Sequence, residues 1–184
     1  RARSAGLAAD LGRAVAAFAD QPQALLDHPG EVAALFDEAR VALGEDHPEL
    51  RARLLAFEAF AYATYQLQGR DSLQLADDAL ALARRADDPS TLGEALFGAA
   101  TARSGTAPVD ERVPLGEELV VLGRTATTAR AAIPTAYGLR VMAGVHLERG
   151  ASDALAATVE EMARFGQEQR WLPALAFAEQ WEAT

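Results

Sequence analysis

Histidines are the residues of this chain whose type most directly suggests acid–base or metal chemistry. His28 and His47 each precede a proline, and His146 is followed by Leu147. None of the three has another histidine four residues away, the spacing with which one helix face holds a zinc ion. We therefore expect surface or packing roles for the histidines and predict no metal site.

Paired carboxylates are the second group that could do chemistry, as general acid and base or as calcium ligands. Neighbouring side chains on a helix point about 100° apart, so the two members of a pair do not converge on one reacting atom. The calcium-loop spacing with its central glycine is missing. A solvated helix face is the favoured interpretation of these pairs, which are Asp37-Glu38, Asp77-Asp78, Glu117-Glu118 and Glu160-Glu161.

Nucleophiles are scarce in the sequence. All 17 basic residues are arginine, and there is no lysine and no cysteine. This composition excludes a P-loop lysine, Schiff-base chemistry, a thiol nucleophile and a disulfide within the chain. No serine lies in the G-x-S-x-G turn of a hydrolase. We predict no catalytic residues, no cofactor and no enzymatic activity.

Aromatic residues cluster on one predicted helix. Phe57, Phe60 and Tyr65 lie near one stripe of that helix, whereas Tyr62 faces elsewhere. Aromatic residues at helical spacing usually pack in a core. The alternative is that Phe57, Phe60 and Tyr65 line a concave groove, where helical-repeat proteins bind peptides or other domains. Both interpretations stay open at this stage.

Charge and hydropathy exclude further classes of protein. The 184 residues include 27 acidic side chains and have a formal charge of -10, which repels phosphate backbones, so we predict no nucleic-acid binding by this segment. No uncharged apolar run reaches the ~18–20 residues of a membrane helix. No apolar segment typical of a signal peptide follows the basic start. We therefore expect a cytoplasmic protein that has no contact with a membrane.

The elements that must position these residues are all predicted to be helices. The chain is rich in helix formers, with 43 alanines, and nothing alternates apolar and polar over the length of a strand. Helices are predicted at about 4–20, 31–43, 48–68, 72–87, 91–103, 110–124, 129–149, 152–168 and 172–183. The helix at 48–68 carries a single charge between residues 54 and 69, Glu58, so we expect it to be central and buried.

Several helix ends have a local cause. Pro48 suits the first position of a helix, and Asp71 can accept bonds from the free N–H groups of the helix that follows it. Thr91 and Glu94 match a capping box directly after a proline. Pro134 conflicts with a helix that starts at 129, so this helix is predicted to begin near 133 or to kink there.

The acidic pairs recur at spacings of 40, 40 and 43 residues, each mid-way along a predicted helix. Periods of 20–50 residues are typical of stacked helical hairpins, because one hairpin cannot bury its apolar face alone. The predicted fold is therefore all-α, a right-handed α-solenoid of antiparallel hairpins with a period of about 40 residues. We predict one domain over 1–184, with an N-terminal helix and irregular stretch in 1–30 and about four hairpins in 31–184.

Sequence motifs also resemble known proteins. Tyr65 and Gly69, with three residues between them, resemble the end of the first helix of a tetratricopeptide repeat (TPR), whose usual period is 34. Longer matching stretches are Leu54 to Gly69, Leu75 to Pro89, Thr91-Leu92 with Ala95-Leu96, Asp110-Glu111-Arg112, Leu115 with Glu117-Glu118-Leu119, and Gln169-Arg170-Trp171-Leu172-Pro173. With these stretches, residues 50–184 resemble the TPR-like arm of large actinobacterial signal-transduction ATPase regulators. The link after Gly69 is shorter than in that family, and Pro134 interrupts a helix that runs through in it.

This resemblance implies a function. In that family the arm follows a P-loop ATPase, and a LuxR-type helix-turn-helix, an antibiotic-regulator DNA-binding domain or a nucleotide cyclase is fused at either end. The resemblance implies a non-catalytic protein-interaction or sensor arm, excerpted from a longer regulator. Its partners would be another protein, neighbouring domains of the same chain, or a small-molecule or peptide inducer. The alternative is a small-molecule receptor that binds its ligand on an aromatic-lined concave face.

Overall fold

The all-α prediction is confirmed. A computed structural model describes residues 7–19, 28–65, 69–125 and 132–182, and all regular secondary structure within these ranges is helical. The chain divides into two compact units, residues 1–102 (unit 1) and 103–184 (unit 2). The solenoid arrangement and the single domain stay predictions.

Unit 1 is organised around one central helix. Its helices are α1 (Ala8–Ala19), α2 (Pro29–Leu43), α3 (Pro48–Thr64), α4 (Ser72–Ala86) and α5 (Pro89–Ala102). Helix α3 packs against each of the other four, and it is buried on most sides, while the side that carries Arg53, Phe57 and Phe60 is half-buried. The prediction that this helix is central and buried is therefore confirmed.

Unit 2 has a similar helical composition. A 3-10 turn (Val109–Glu111) leads into α6 (Val113–Arg124), α7 (Ile133–Glu148), α8 (Ser152–Gln169) and α9 (Leu172–Glu182). Helix α7 contacts the turn and the other three helices. One apolar cluster of this unit joins α7, α8 and α9, and its fully buried members include Ala136, Met162 and Ala174.

Two helix starts follow the local chemistry that the sequence predicts. The carboxylate of Asp71 accepts bonds from the N–H groups of Leu73 and Gln74, at 2.9 and 3.2 Å, as predicted. Helix α7 begins at Ile133, next to Pro134, as one of the two predictions for this proline has it; residue 129, where the predicted range began, lies outside the described residues.

The predicted capping box at Thr91 is wrong. Helix α5 already begins at Pro89, and Thr91 lies fully buried inside its first turn. The carboxylate of Asp88 accepts the N–H of Thr91 at 2.9 Å and its hydroxyl at 2.5 Å. Proline favours the first helical position, so the residue before it, Asp88, supplies the cap.

The acidic pairs mark a repeated burial pattern. In α2, α4, α6 and α8 the first acid of each pair is exposed, and the residue after the pair is fully buried. The positions three before and four after that residue are also buried, which forms one apolar stripe along each helix. The central residues of the four stripes are Ala39, Ala79, Leu119 and Met162. The repeat seen in the sequence is therefore a repeat of helix orientation towards a core.

Glycine allows two helix pairs to approach closely. A Cβ placed on Gly98 of α5 would lie 2.9 Å from the carbonyl oxygen of Ala56 in α3. A Cβ on Gly123 of α6 would lie 2.3 Å from the backbone nitrogen of Thr135 in α7. These contacts leave no room for a side chain, because real Cβ atoms do not come this near to backbone atoms.

Candidate functional site

The three aromatic residues of the candidate groove lie on two sides of α3. Phe57 and Tyr65 pack against the core that α1, α2 and α3 share. Phe60 instead stacks on Phe97 of α5, with ring centroids 5.7 Å apart. All three side chains are half-buried. The structure brings Phe57 and Tyr65 to one core and places Phe60 against another helix.

Two of the three histidines, His28 and His47, each lie beside a single carboxylate. The Nδ1 atom of His28 is 3.7 Å from Glu31, and that of His47 is 3.6 Å from Glu49. Among the described residues, no three histidine, aspartate or glutamate side chains come together in a way that could hold a metal ion. Within the same ranges, no helix has the length and apolar character that crossing a membrane requires.

A ring of four charged side chains in unit 1 is the strongest candidate site. It consists of Asp37 and Arg40 on α2, Glu58 on α3 and Arg70 in the link before α4, and we call it the charge ring. Arg40 donates hydrogen bonds to Asp37 and to Oε2 of Glu58. Arg70 donates to Asp37 at 2.5 Å and lies 3.3 Å from Oε1 of Glu58. Each arginine therefore contacts both carboxylates, and the ring is closed.

Exposure to solvent differs sharply around the charge ring. The side chain of Glu58 is 0% exposed, whereas Asp37 is 52% exposed and Arg70 is 23% exposed. The Oε1 atom of Glu58 has no hydrogen-bond partner among the described residues. Glu58 is thus a carboxyl group inside the protein whose charge is balanced by two guanidinium groups nearer the surface.

The environment shifts the proton affinities of the ring. Burial raises the pKa of Glu58 to about 7, although Arg40 and Arg70 act in the opposite direction and Asp37 adds to the rise. The hydrogen bond from Arg70 lowers the pKa of Asp37. Burial opposes a rise in the pKa of Arg70, but Asp37 and Glu58 outweigh it and raise that pKa. Perturbed carboxyl groups of this kind are typical of functional sites, and they also occur in structural ion pairs.

An open cavity of about 460 Å³ lies between α1 and α2, beside the charge ring. Its lining is mainly apolar and includes Leu11 and Val41, of which Val41 is 82% exposed. Asp37 belongs both to this lining and to the charge ring. A molecule bound in the cavity would therefore touch one member of the ring.

Unit 2 contains a smaller polar cavity of about 270 Å³. Arg124 and Glu161, which pair with each other across α6 and α8, form part of its wall together with Arg164 and Glu168. The mixed charges leave this cavity without a dominant sign, so it indicates no particular class of ligand.

A buried arginine organises the start of unit 2. Arg112 is almost fully buried and donates a hydrogen bond to Glu148 of α7. A second nitrogen of its guanidinium group lies 3.3 Å from the hydroxyl of Ser104. Arg112 thus ties the 3-10 turn to α7, which is a structural role.

Sequence reasoning missed the charge ring. Glu58 stood out as the lone charge of its helix, and this predicted its burial but not its partners. Arg40 is 18 residues before Glu58 and Arg70 is 12 residues after it, so no local spacing links them. A useful signal would have been the rule that a buried carboxylate needs cationic partners from neighbouring helices.

Comparison of the chain with protein-family models, curated proteins and solved structures finds no match in any of the three.

Proposed function

We propose that this chain is a non-catalytic helical-repeat module, the protein-interaction or sensor arm of a cytoplasmic bacterial regulator. The observation that carries the proposal is the apolar stripe that recurs in α2, α4, α6 and α8 after each acidic pair. Repeats of this length usually stack into TPR-like solenoids whose function is to bind proteins or peptides.

The resemblance to a known family suggests the kind of regulator to which the arm belongs. Residues 50–184 resemble the arm that follows a P-loop ATPase in large actinobacterial signal-transduction proteins. The arm would bind a partner protein, a neighbouring domain or an inducer, and so shift the population of ATPase conformations. The proposed arrangement is a right-handed solenoid of antiparallel hairpins.

The test is nucleotide turnover by the parent regulator, with residues 1–184 present or deleted. We expect deletion to change basal turnover or to remove its response to the inducer, because the arm biases the ATPase. A point variant that keeps the core intact is Val41→Asp, since Val41 is 82% exposed. Its melting curve should match that of the native chain, so a change of turnover in this variant would not come from loss of fold. Unchanged turnover and output after deletion would contradict the proposal.

The alternative function, a small-molecule receptor, predicts a ligand site lined by Phe57, Phe60 and Tyr65. These side chains divide between the α1–α3 core and the contact with Phe97. The 460 Å³ cavity beside α2 is lined instead by aliphatic and acidic residues. The arm function therefore has the better support.

A further inference from the structure

One carboxyl oxygen of the charge ring, Oε1 of Glu58, has room in its hydrogen bonding to take up a proton. The Oε2 atom of Glu58 already accepts a hydrogen bond from Arg40. The Oε1 atom accepts none among the described residues and faces Nη1 of Arg70 at 3.3 Å. A proton at Oε1 leaves the hydrogen bond from Arg40 to Oε2 in place, so Oε1 is the oxygen at which we place the proton.

Protonation at Oε1 has a specific consequence. A guanidinium nitrogen carries hydrogens and accepts no hydrogen bond, so the new carboxyl O–H cannot bond to Nη1 of Arg70, which faces it. The same proton removes the negative charge that attracts Arg70. Arg40 keeps its acceptor at Oε2, and Arg70 keeps its contact with Asp37. Protonation of Glu58 at Oε1 would thus weaken its contact with Arg70 and leave its hydrogen bond from Arg40.

We propose that the charge ring is a proton-operated latch, in which Glu58 takes up one proton while the chain stays folded and thereby releases Arg70 from α3. The proton comes from solvent, and the ring changes from neutral to a charge of +1. Arg70 directly precedes Asp71, the cap of α4, so the latch controls how the start of α4 is held against α3.

Other charged groups near α3 are engaged elsewhere or exposed. On α1, Asp10 pairs with Arg13, and on α5, Glu94 pairs with Arg53 of α3. The groups whose charges act most strongly on Glu58 are Arg40, Arg70 and Asp37, and Tyr62 acts on Arg70. The charged residues of α4 are exposed, and they are Asp77, Asp78, Arg84 and Arg85.

The test is an NMR titration of the full chain from pH 4.5 to pH 8.5, which follows the Glu58 carboxyl carbon and the side-chain Nε–H signals of Arg70 and Arg40. We expect the Glu58 carbon to titrate near pH 7 instead of near its ordinary 4.5. The Arg70 signal should shift with the same midpoint, and the Arg40 signal should shift less. A Glu58 midpoint near 4.5, or an Arg70 signal that ignores the Glu58 titration, would overturn the proposal.

Two variants sharpen this test. Asp37→Asn should move the Glu58 midpoint to lower pH, because the charge of Asp37 favours the protonated form of Glu58. Glu58→Gln should hold the Arg70 signal at its acid position at every pH. The matched control, Glu94→Gln, removes the partner of Arg53 and should leave the Arg70 titration unchanged. If Glu58→Gln does not fold, the titrations of the native chain and of Asp37→Asn still test the latch. A Glu58 midpoint that stays in place or rises in Asp37→Asn contradicts it.

Discussion

At the scale of single residues, burial and charge act against each other in the middle of unit 1. Glu58 is fully buried on α3 and would be costly there as an isolated charge. Arg40 and Arg70 reduce that cost without abolishing it, and the pKa of Glu58 therefore stays raised, at about 7. The sequence predicts the burial from the apolar run around Glu58. It does not predict the arginines, because packing of α2 and of the link against α3 brings them there.

This raised pKa makes stability depend on pH. Folded Glu58 binds its proton near pH 7 and the unfolded residue near 4.5, so the folded state holds more protons between these values. The free energy of unfolding therefore falls as pH rises through this window. The Glu58 contribution should fall by roughly 2 to 3 kcal/mol between pH 5 and pH 8. In Glu58→Gln this slope should disappear, as measured by urea unfolding at a series of pH values.

The control for this measurement is Glu94→Gln, which changes a glutamate that is paired with Arg53 near the surface. It should keep the slope of the native chain between pH 5 and pH 8. The pKa of Asp37 is lowered, so its protonation destabilises the fold only as pH falls below the ordinary range of an aspartate. This effect lies outside the window from pH 5 to pH 8 and does not change the slope measured there. Equal slopes in the native chain and in Glu58→Gln would show that Glu58 does not titrate in this window.

At the scale of helices, local signals predict most boundaries. Prolines at the start of α3 and α7 and the Asp71 cap of α4 place these helix starts within a few residues. The error at α5 arose because Thr91 and Glu94 match a capping box while Pro89 favours an earlier start. The proline and its cap Asp88 prevail, since together they satisfy the first turn and leave Thr91 in the core.

Close packing between helices is harder to predict from the sequence, because a glycine within a helix is recognised there only as a residue of low helix propensity. Gly98→Ala should destabilise the chain by about 1 to 3 kcal/mol, since the new Cβ meets the Ala56 carbonyl at 2.9 Å. Gly144→Ala is the matched control. Its Cβ would have 3.9 Å to its nearest neighbour, so higher helix propensity should stabilise it by roughly 0.5 to 1 kcal/mol.

Urea unfolding followed by far-UV circular dichroism measures both glycine variants. The free energy of unfolding should fall in Gly98→Ala and rise in Gly144→Ala. An unaffected Gly98→Ala would contradict the packing described for α5 on α3, and a destabilised Gly144→Ala would contradict the open space around Gly144 on α7.

At the scale of the whole molecule, the sequence predicts the helical class and the repeat but not the division into two units. Periodicity shows which face of a helix is apolar, and the stripes centred on Ala39, Ala79, Leu119 and Met162 bear this out. How the helices are grouped depends on contacts between distant residues, and no local pattern contains that information. Function is further removed still, because a repeat scaffold does not specify its partner.

The reading frame on both sides of residues 1–184 is the measurement that tests the regulatory-arm proposal most directly. The account predicts a P-loop of the form G-x-x-x-x-G-K-[ST] upstream in the same frame, with a helix-turn-helix or a nucleotide cyclase at either end. A start codon directly before Arg1 and a stop codon directly after Thr184 would contradict it. The chain would then be a free-standing helical binding protein, and the receptor function would take precedence.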